Sequence, residues 1–309
     1  MTDKTARQIE AMKAQTFGVE IEMNNITRPD AAKVVAEFFG TNVYRNTHHI
    51  NGYMTWSAWD QQGREWKFQK DVSIHGDDAH KCEMATPVLK YEDMELLQEV
   101  VRVLRRAGAK SSQARGCGVH VHIGGDGHTP KTIRNLVNLM TCHEDQIIKA
   151  IDVTDTRKNR WCKTVDPSFL NRINTQKPET VDELAHCWYN GAIDSSHYSY
   201  TRYRMLNLHA YFNRYHTIEF RCFNFDNYVR GSGRKSGLHA GHLKAMIQLC
   251  LAMSEMAKEL RSCNPKKQQT ENEAYAFRCW MLRLGFIGDE FKTARDYFMR
   301  NFTGNSAWR

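Results

Sequence analysis

Three segments of the sequence place charged or metal-binding side chains two residues apart, with apolar residues between them. The pairs are Glu20 with Glu22, His120 with His122, and Glu219 with Arg221. Because successive side chains of a strand point to opposite faces, both members of each pair would project from one face. One such strand is equally typical of a solvent-exposed sheet face. Three of them, rich in Glu, His and Arg, instead indicate metal and phosphate chemistry.

The acidic pairs favour a divalent cation. Several carboxylates on neighbouring strands repel one another unless a cation lies among them. Carboxylate oxygens with few nitrogens suit Mg²⁺ or Mn²⁺, and the Cys and His cluster of a structural zinc site is missing from the sequence. Phosphoryl transfer depends on positioning and on cations at the transferring group. Arg221 could hold that group by two parallel hydrogen bonds, and Arg202 and Arg204 could add to it or bind a substrate carboxylate.

Two further segments extend the polar pattern. Gln69, Asp71 and Ser73 form a looser polar face, and Glu83 places one more acid in a short apolar strand. A His-x-His strand also begins the metal site of amidohydrolase barrels, but there it is normally the first strand of a repeating βα series. Here the motif lies in the middle of the chain and no such repeat is visible, so the amidohydrolase interpretation ranks second.

Alternating and helical periodicities follow one another along the chain and predict an α+β fold. Strands are predicted over residues 16–24, 82–88, 117–124, 200–210 and 216–224, with a hairpin between Tyr53 and Ser73. Helices are predicted from Pro29 to near Gly40, from Met94 to Gly108, from Thr129 and Pro130 to about Ile151, and over 180–188, 238–261, 271–284 and 290–302. The pattern predicts one domain over 1–309, in which helices cover one face of a largely antiparallel sheet.

Two polar segments have no assigned structure or role. Residues 152–177 are predicted to form a loop or a substrate lid. The glycine-rich residues 231–237 are predicted to form a flexible loop that could close over phosphates, although they lack the spacing of a P-loop.

Composition limits the class of protein. The chain has 309 residues, of which 41% are apolar, and a formal net charge of +8, so it can bury a sizeable core and favours anionic partners. No stretch approaches the roughly 18 apolar residues of a membrane helix, and the polar start is unlike a secretory signal peptide. The nine irregularly spaced cysteines indicate reduced thiols. We therefore expect a cytoplasmic protein with no membrane partner.

Five motifs, in this order along the chain, resemble the amidoligase family, a branch of the glutamine synthetase and glutamate–cysteine ligase superfamily of carboxylate–amine ligases. The motifs are residues 17–22 (FGVEIE), residues 70–74 with 83–87, residues 118–123 (GVHVHI), Arg204 with Asn207 and Leu208, and residues 217–221 (TIEFR). The resemblance covers about residues 16–225. The helical C-terminal part, 236–309, carries no matching motif.

The resemblance implies a concave antiparallel funnel like that of glutamine synthetase, with helices on its outer face. ATP would enter from one end and phosphorylate a carboxylate, and an amine would then displace phosphate from the acyl phosphate. The implied divalent-metal ligands are Glu20, Glu22, Glu83, His120 and Glu219. The implied catalytic residues are Arg221, Asp71 and Arg204, although the role of Asp71, in metal or in amine binding, stays open. The implied nucleotide-binding or substrate-binding residues are His122, Asn207 and Arg202.

The expected function is therefore an ATP-dependent, amide-forming ligase with ATP and Mg²⁺ or Mn²⁺ as cofactors. Two alternatives stay open: a metal-dependent hydrolase that uses the same face to activate water, and a non-catalytic module that binds nucleotides or nucleic acid. The carboxylate and amine substrates, an amino acid, a peptide or a modified macromolecule, are not identified by the sequence. A nucleic-acid partner is also left open, and so is the oligomeric state.

Overall fold

The computed structural model describes residues 2–48, 52–194, 196, 198–213, 215–226, 237–267 and 269–307. The chain divides into two compact units, which are described separately below. The strand-rich unit consists of Thr16–Val121 and Phe223–Lys244. The helix-rich unit consists of Met1–Gln15, His122–Cys222 and Ala245–Arg309. The catalytic role of 1–309 as one domain stays a prediction.

The strand-rich unit is built on antiparallel strands. They are β1 (Phe17–Met23), β2 (Tyr44–Asn46), β3 (Trp56–Trp59), β4 (Glu65–Gln69) and β5 (Cys82–Ala85), followed by β6 (Val119–Gly124), whose last three residues belong to the helix-rich unit. The first five are ordered β2-β3-β4-β5-β1, and each neighbouring pair is antiparallel. The predicted strands in 16–24, 82–88 and 117–124 and the predicted hairpin are confirmed.

Two helices cover the apolar residues of this unit. Helix α2 (Arg28–Phe39) begins where the Thr27 hydroxyl accepts the Asp30 N–H, and it ends at Gly40, whose φ is +71°. Such a left-handed C-terminus favours glycine. Helix α3 (Met94–Arg106) carries a fully apolar buried stripe at helical spacing. Helix α2 packs against β3, β4 and α3, so the two helices form one layer over the β3–β4 hairpin.

A buried carboxylate fixes the β3–β4 hairpin. Asp60 accepts hydrogen bonds from the indole of Trp66 at 3.1 Å and from the guanidinium of Arg64 at 2.8 Å. Arg64 also pairs with Asp93, immediately before α3, at 2.9 Å. Burial by itself raises the pKa of Asp60, but the hydrogen bonds from Trp66 and Arg64 outweigh it and hold that pKa below its usual value. The hairpin is therefore tied to a neighbouring helix.

The helix-rich unit contains most of the remaining elements. Its helices are α1 (Asp3–Ala14), α4 (Pro130–Ile151), α5 (Asp155–Arg160), α6 (Pro167–Gln176), α7 (Val181–Tyr189), α8 (His209–Phe212), α9 (Ala240–Glu259, from Ala245 onward), α10 (Glu273–Arg283) and α11 (Lys292–Met299). Its strands are β7 (Leu206–Asn207) and β8 (Thr217–Phe223, up to Cys222), which pair antiparallel. The predicted helices and the helical C-terminal region are confirmed. Among the described helices, none combines the length and apolar character needed to span a membrane.

Two predictions for this unit are wrong. Residues 152–177 form helices α5 and α6 rather than a loop, because Thr154 and Asp166 accept backbone N–H groups at the two helix starts; a role of this segment as a substrate lid stays a prediction. The predicted strand over 200–210 is reduced to the two residues of β7. The Asn207 side chain accepts the His209 N–H at 2.8 Å and so turns the chain into α8. The predicted loop 231–237 lies outside the described residues, except for Gly237.

Candidate functional site

Strands β1 and β5 bring two buried acids side by side in the strand-rich unit, and β4 adds an amide. In β1, Val19, Ile21 and Met23 are buried in the core, so Glu20 and Glu22 project from the other face, as the alternation predicts. Glu22 lies directly opposite Glu83 across the β1–β5 pair. The amide of Gln69, opposite Glu83 on β4, donates to the Glu83 carboxylate at 2.7 Å. Both glutamates are only 6% exposed.

His120 on β6 lies between the two carboxylates of β1. Its Nδ1 is 2.8 Å from Glu20 Oε2, and its Nε2 is 3.8 Å from Glu22 Oε1. The backbone N–H of Gly118 also donates to Glu22 Oε2 at 2.6 Å. With the proton on Nδ1 and shared with Glu20, the lone pair of Nε2 would be available to a metal, which is the usual carboxylate–histidine–metal arrangement.

Asp71 joins the group from the segment just after β4. Its carboxylate accepts the Ser73 N–H at 2.6 Å in a tight turn. One ligand oxygen each from Asp71, Glu22 and Glu83 lie within 4.8 Å of one another, and so do ligand atoms of Glu20, Glu83 and His120. The five residues that we call the acidic cluster are Glu20, Glu22, Asp71, Glu83 and His120. The sequence predicted every member.

The electrostatics of the acidic cluster are unfavourable without a cation. Burial raises the pKa of Glu83, the negative charges of Glu20, Asp71 and Glu22 raise it further, and the hydrogen bond from Gln69 opposes the shift. Like charges directly opposite each other on neighbouring strands destabilise a sheet. The cluster consists of four carboxylates and one imidazole, and no lysine or arginine belongs to it. A cluster of this kind is typical of function and costs stability.

The donor set fits a hard divalent cation. Four carboxylates and one imidazole nitrogen match the oxygen-rich coordination of Mg²⁺ or Mn²⁺. Thiolates, which zinc and copper sites commonly use, do not take part: Cys82 is adjacent to Glu83 in sequence, but it is completely buried and burial raises the pKa of its thiol. The arrangement could therefore hold a metal ion that neutralises phosphate oxygens.

A second polar group lies in the helix-rich unit, around Glu219 on β8. Arg221 forms an ion pair with Glu219 Oε1, and the amide of Asn207 on β7 donates to Glu219 Oε2 at 2.6 Å. His122 Nε2 is 4.0 Å from Glu219, and its Nδ1 is 3.0 Å from the Thr217 hydroxyl. Glu219 and Arg221 are 4% and 6% exposed. The structure thus joins four of the predicted residues, with the Glu219 charge matched by a guanidinium.

The other two predicted arginines have different surroundings. Arg204 donates to the Asp166 carboxylate at 2.7 Å and to the Thr164 carbonyl at 3.1 Å. The Arg202 guanidinium lies over the rings of Tyr198 and Tyr203, 5.7 and 5.6 Å from their centroids. The catalytic role of Arg204 and the binding role of Arg202 stay predictions.

Some contributors to the two groups, and the Asp166 partner of Arg204, had no role in the sequence prediction. Gln69 was placed on the polar face of its strand, but its bond to Glu83 depends on strand register, which periodicity does not give. The Gly118 N–H is a backbone donor and leaves no side-chain signal. Asp166 was hidden in the polar segment 152–177, although an Asp-Pro pair is a recognisable helix start.

A family comparison agrees with the motif order. Residues 13–254 match the sequence model of the family described as "Putative amidoligase enzyme". The match covers most of the chain. The chain belongs to this amidoligase family. All five residues of the acidic cluster, and the Glu219 group with them, lie within the matched residues.

A comparison with solved structures gives this amidoligase family member a ligase as a structural neighbour. The chain is similar to the crystal structure of a bifunctional glutathione synthetase from Pasteurella multocida, with 12% sequence identity and a TM-score of 0.50. The similarity covers 97% of this chain and 49% of the other chain, so this chain spans about half the length of that protein. At this identity the comparison supports the fold alone. No curated protein matches the sequence.

Proposed function

We propose that this amidoligase family member is an ATP-dependent carboxylate–amine ligase that works through an acyl phosphate. The observation that carries the proposal is the acidic cluster, in which the largely buried residues Glu22, Glu83 and His120 meet Glu20 and Asp71. Membership of the amidoligase family supports amide formation as the reaction. The glutamine-synthetase-like funnel and a cytoplasmic location belong to the same proposal.

The acidic cluster is proposed to hold Mg²⁺ or Mn²⁺, with Glu20, Glu22, Glu83 and His120 as ligands. Asp71 is proposed either to add a ligand or to bind the incoming amine. When bound, the cation would supply positive charge for the phosphate oxygens of ATP. Gln69 and Gly118 hold Glu83 and Glu22 in place by hydrogen bonds, so the carboxylates are oriented before any ligand arrives.

The proposed reaction has two steps. A carboxylate oxygen of the first substrate attacks the γ-phosphorus of ATP, the bond to the β–γ bridging oxygen breaks, and ADP leaves. The amine then attacks the carbonyl carbon of the acyl phosphate, loses a proton, and phosphate leaves as the amide forms. Arg221 is proposed to stabilise the transferring phosphoryl group, as a planar guanidinium can by two parallel hydrogen bonds.

The Glu219 group is proposed to serve nucleotide and metal binding. Glu219 remains a proposed metal ligand, and His122, Asn207 and Arg202 remain proposed nucleotide or substrate contacts. Glu219 Oε1 and Oε2 bond Arg221 and Asn207 in the structure. To bind a metal as well, Glu219 would use an oxygen lone pair that these two hydrogen bonds do not occupy. A carboxylate has about four lone pairs in all.

Isotope exchange within ATP tests the ligase proposal without knowledge of the amine. ATP labelled with ¹⁸O at the β–γ bridge is incubated with protein, Mg²⁺ and a panel of amino acids and peptides as carboxylate donors. We expect the label to move to a non-bridging position only with a suitable carboxylate, because reversible acyl-phosphate formation frees the β-phosphate of ADP to rotate.

The same experiment separates the ligase from the metal-dependent hydrolase. A hydrolase would cleave its substrate without ATP and would leave the labelled bridge intact. Amide-bond cleavage of the panel peptides with Mg²⁺ or Mn²⁺ alone, and no exchange with any carboxylate, would replace the ligase proposal with the hydrolase.

A further inference from the structure

Arginine and aromatic side chains form a continuous surface in the helix-rich unit. We call it the Arg–aromatic surface, and it consists of residues 160–163 and 198–203. The Arg160 guanidinium lies 4.6 Å from the ring centroid of Trp161, and Trp161 meets Tyr203 edge to face at 5.5 Å. Arg202 lies over Tyr198 and Tyr203. The Trp161–Tyr203 ring pair thus has an arginine at each end, Arg160 against Trp161 and Arg202 against Tyr203.

Backbone hydrogen bonds hold the two segments together. The Lys163 N–H donates to the Tyr203 carbonyl at 3.1 Å, and the Met205 N–H donates to the Lys163 carbonyl at 2.7 Å. The Thr201 hydroxyl is 3.0 Å from the indole nitrogen of Trp188 on α7, which anchors the second segment. The rings are therefore positioned on a fixed frame and lose little further freedom when they bind a ligand.

The charge on and beside this surface is strongly positive. Residues 157–163 and 198–204 contain six cationic side chains and no acid. Lys158 pairs with the Asp155 carboxylate and Arg204 with that of Asp166. Arg160 and Lys163 are exposed, and neither forms an ion pair with any residue that the structure describes. An anionic ligand would complement them.

The aromatic groups are exposed as well as the charges. Tyr200 is 79% and Tyr198 is 64% exposed, so both rings are accessible to a ligand. Exposed tyrosine and guanidinium faces stack well on planar bases, and neighbouring cations bind phosphates. An acidic peptide would use the charges and leave the rings without a matching surface.

From these exposed rings and neighbouring cations we infer that the Arg–aromatic surface binds single-stranded nucleic acid, with bases on Tyr198, Tyr200 and Trp161 and phosphates on Arg160 and Lys163. This activity goes beyond the proposed ligase function and needs neither ATP nor metal. The guanidinium of Arg221 lies 5.9 Å from the ring of Tyr203, so the surface adjoins the residue proposed to handle the phosphoryl group.

Fluorescence anisotropy tests the inference. The full chain is titrated into a fluorescein-labelled oligouridylate of 15 nucleotides in the presence of EDTA. We expect salt-sensitive binding that Glu22→Gln retains. The double variant Arg160→Glu with Lys163→Glu should raise the Kd at least about tenfold. It should also lower the slope of log K against log salt concentration by about 1.4, since each lost phosphate contact on a single strand accounts for about 0.7 of that slope. Lys4→Glu with Lys131→Glu changes two exposed lysines of the same unit and controls for net charge.

Two substitutions of Tyr200 separate base stacking from electrostatic attraction. Tyr200→Ala should raise the Kd for the oligouridylate about fivefold or more, and Tyr200→Phe should restore it, because the ring face carries the stacking. Heparin, a polyanion without bases, should bind Tyr200→Ala and the wild-type chain equally. The inference is overturned if the wild-type chain does not bind the oligouridylate, if both double variants behave alike, or if Tyr200→Ala has no effect.

Discussion

Replacing Glu83 with Gln is expected to raise the free energy of unfolding of the metal-free protein by about 1–2 kcal/mol. Glu83 is buried opposite Glu22 and close to Asp71, so the neutral amide removes like-charge repulsion and the cost of burying a charge. Gln keeps the shape of the side chain and an oxygen that can accept the Gln69 bond. Urea denaturation in EDTA measures the change.

The same variant should lose its response to metal. Mg²⁺ or Mn²⁺ should stabilise the wild-type chain by an amount that grows with the logarithm of the metal concentration above its Kd, and should leave Glu83→Gln nearly unchanged. Glu92→Gln, at an exposed position of the same unit, is the matched control and should stay within about 0.5 kcal/mol of wild type. A Glu83→Gln chain that is destabilised, and that Mg²⁺ stabilises as much as wild type, would show that Glu83 is a structural acid.

Replacing Arg221 with Met should destabilise the protein by about 3 kcal/mol, because it leaves the Glu219 charge buried without its guanidinium partner. The double variant Glu219→Gln with Arg221→Met should recover most of that loss, since the amide carries no charge. Urea denaturation of both variants gives the difference. Equal destabilisation of the single and the double variant would mean that the ion pair adds nothing beyond packing.

The Arg204–Asp166 pair offers a control in the same unit. Its side chains are 25% and 34% exposed, against 7% and 5% for the Arg221–Glu219 pair. Arg204→Met should therefore cost at most about 1 kcal/mol. The double variant at 219 and 221 also tests the proposed function. A folded chain that lacks both Glu219 and Arg221 should show little isotope exchange within ATP, whereas full exchange would remove both residues from the phosphoryl-transfer step.

The acidic cluster shows how far sequence periodicity reaches. Alternation alone placed Glu20 and Glu22 on one face of β1, and the structure agrees. That Glu83 lies opposite Glu22, and that His120 lies between Glu20 and Glu22, depends on strand order and register. Those are long-range properties that a two-residue period does not contain. The motif order of the amidoligase family supplied the grouping that periodicity lacked.

The errors have a different origin. Residues 152–177 are polar enough to resemble a loop, but Thr154 and Asp166 provide helix caps and Pro167 fits the first turn of a helix. In this segment the capping residues, and not the polar composition, decide the local structure. The strand predicted over 200–210 failed because Asn207 bonds the backbone of His209 instead of continuing the ladder. Local side-chain bonds of this type compete with sheet formation.

Calorimetric titration of ATP tests the central claim most directly, namely that the acidic cluster binds a metal–nucleotide complex. The wild-type chain should bind ATP with Mg²⁺ present and lose binding in EDTA. Glu22→Gln should bind at least about tenfold more weakly with Mg²⁺, because it removes a buried carboxylate ligand. ATP binding of equal strength in EDTA and in Mg²⁺, unchanged by Glu22→Gln, would contradict the account.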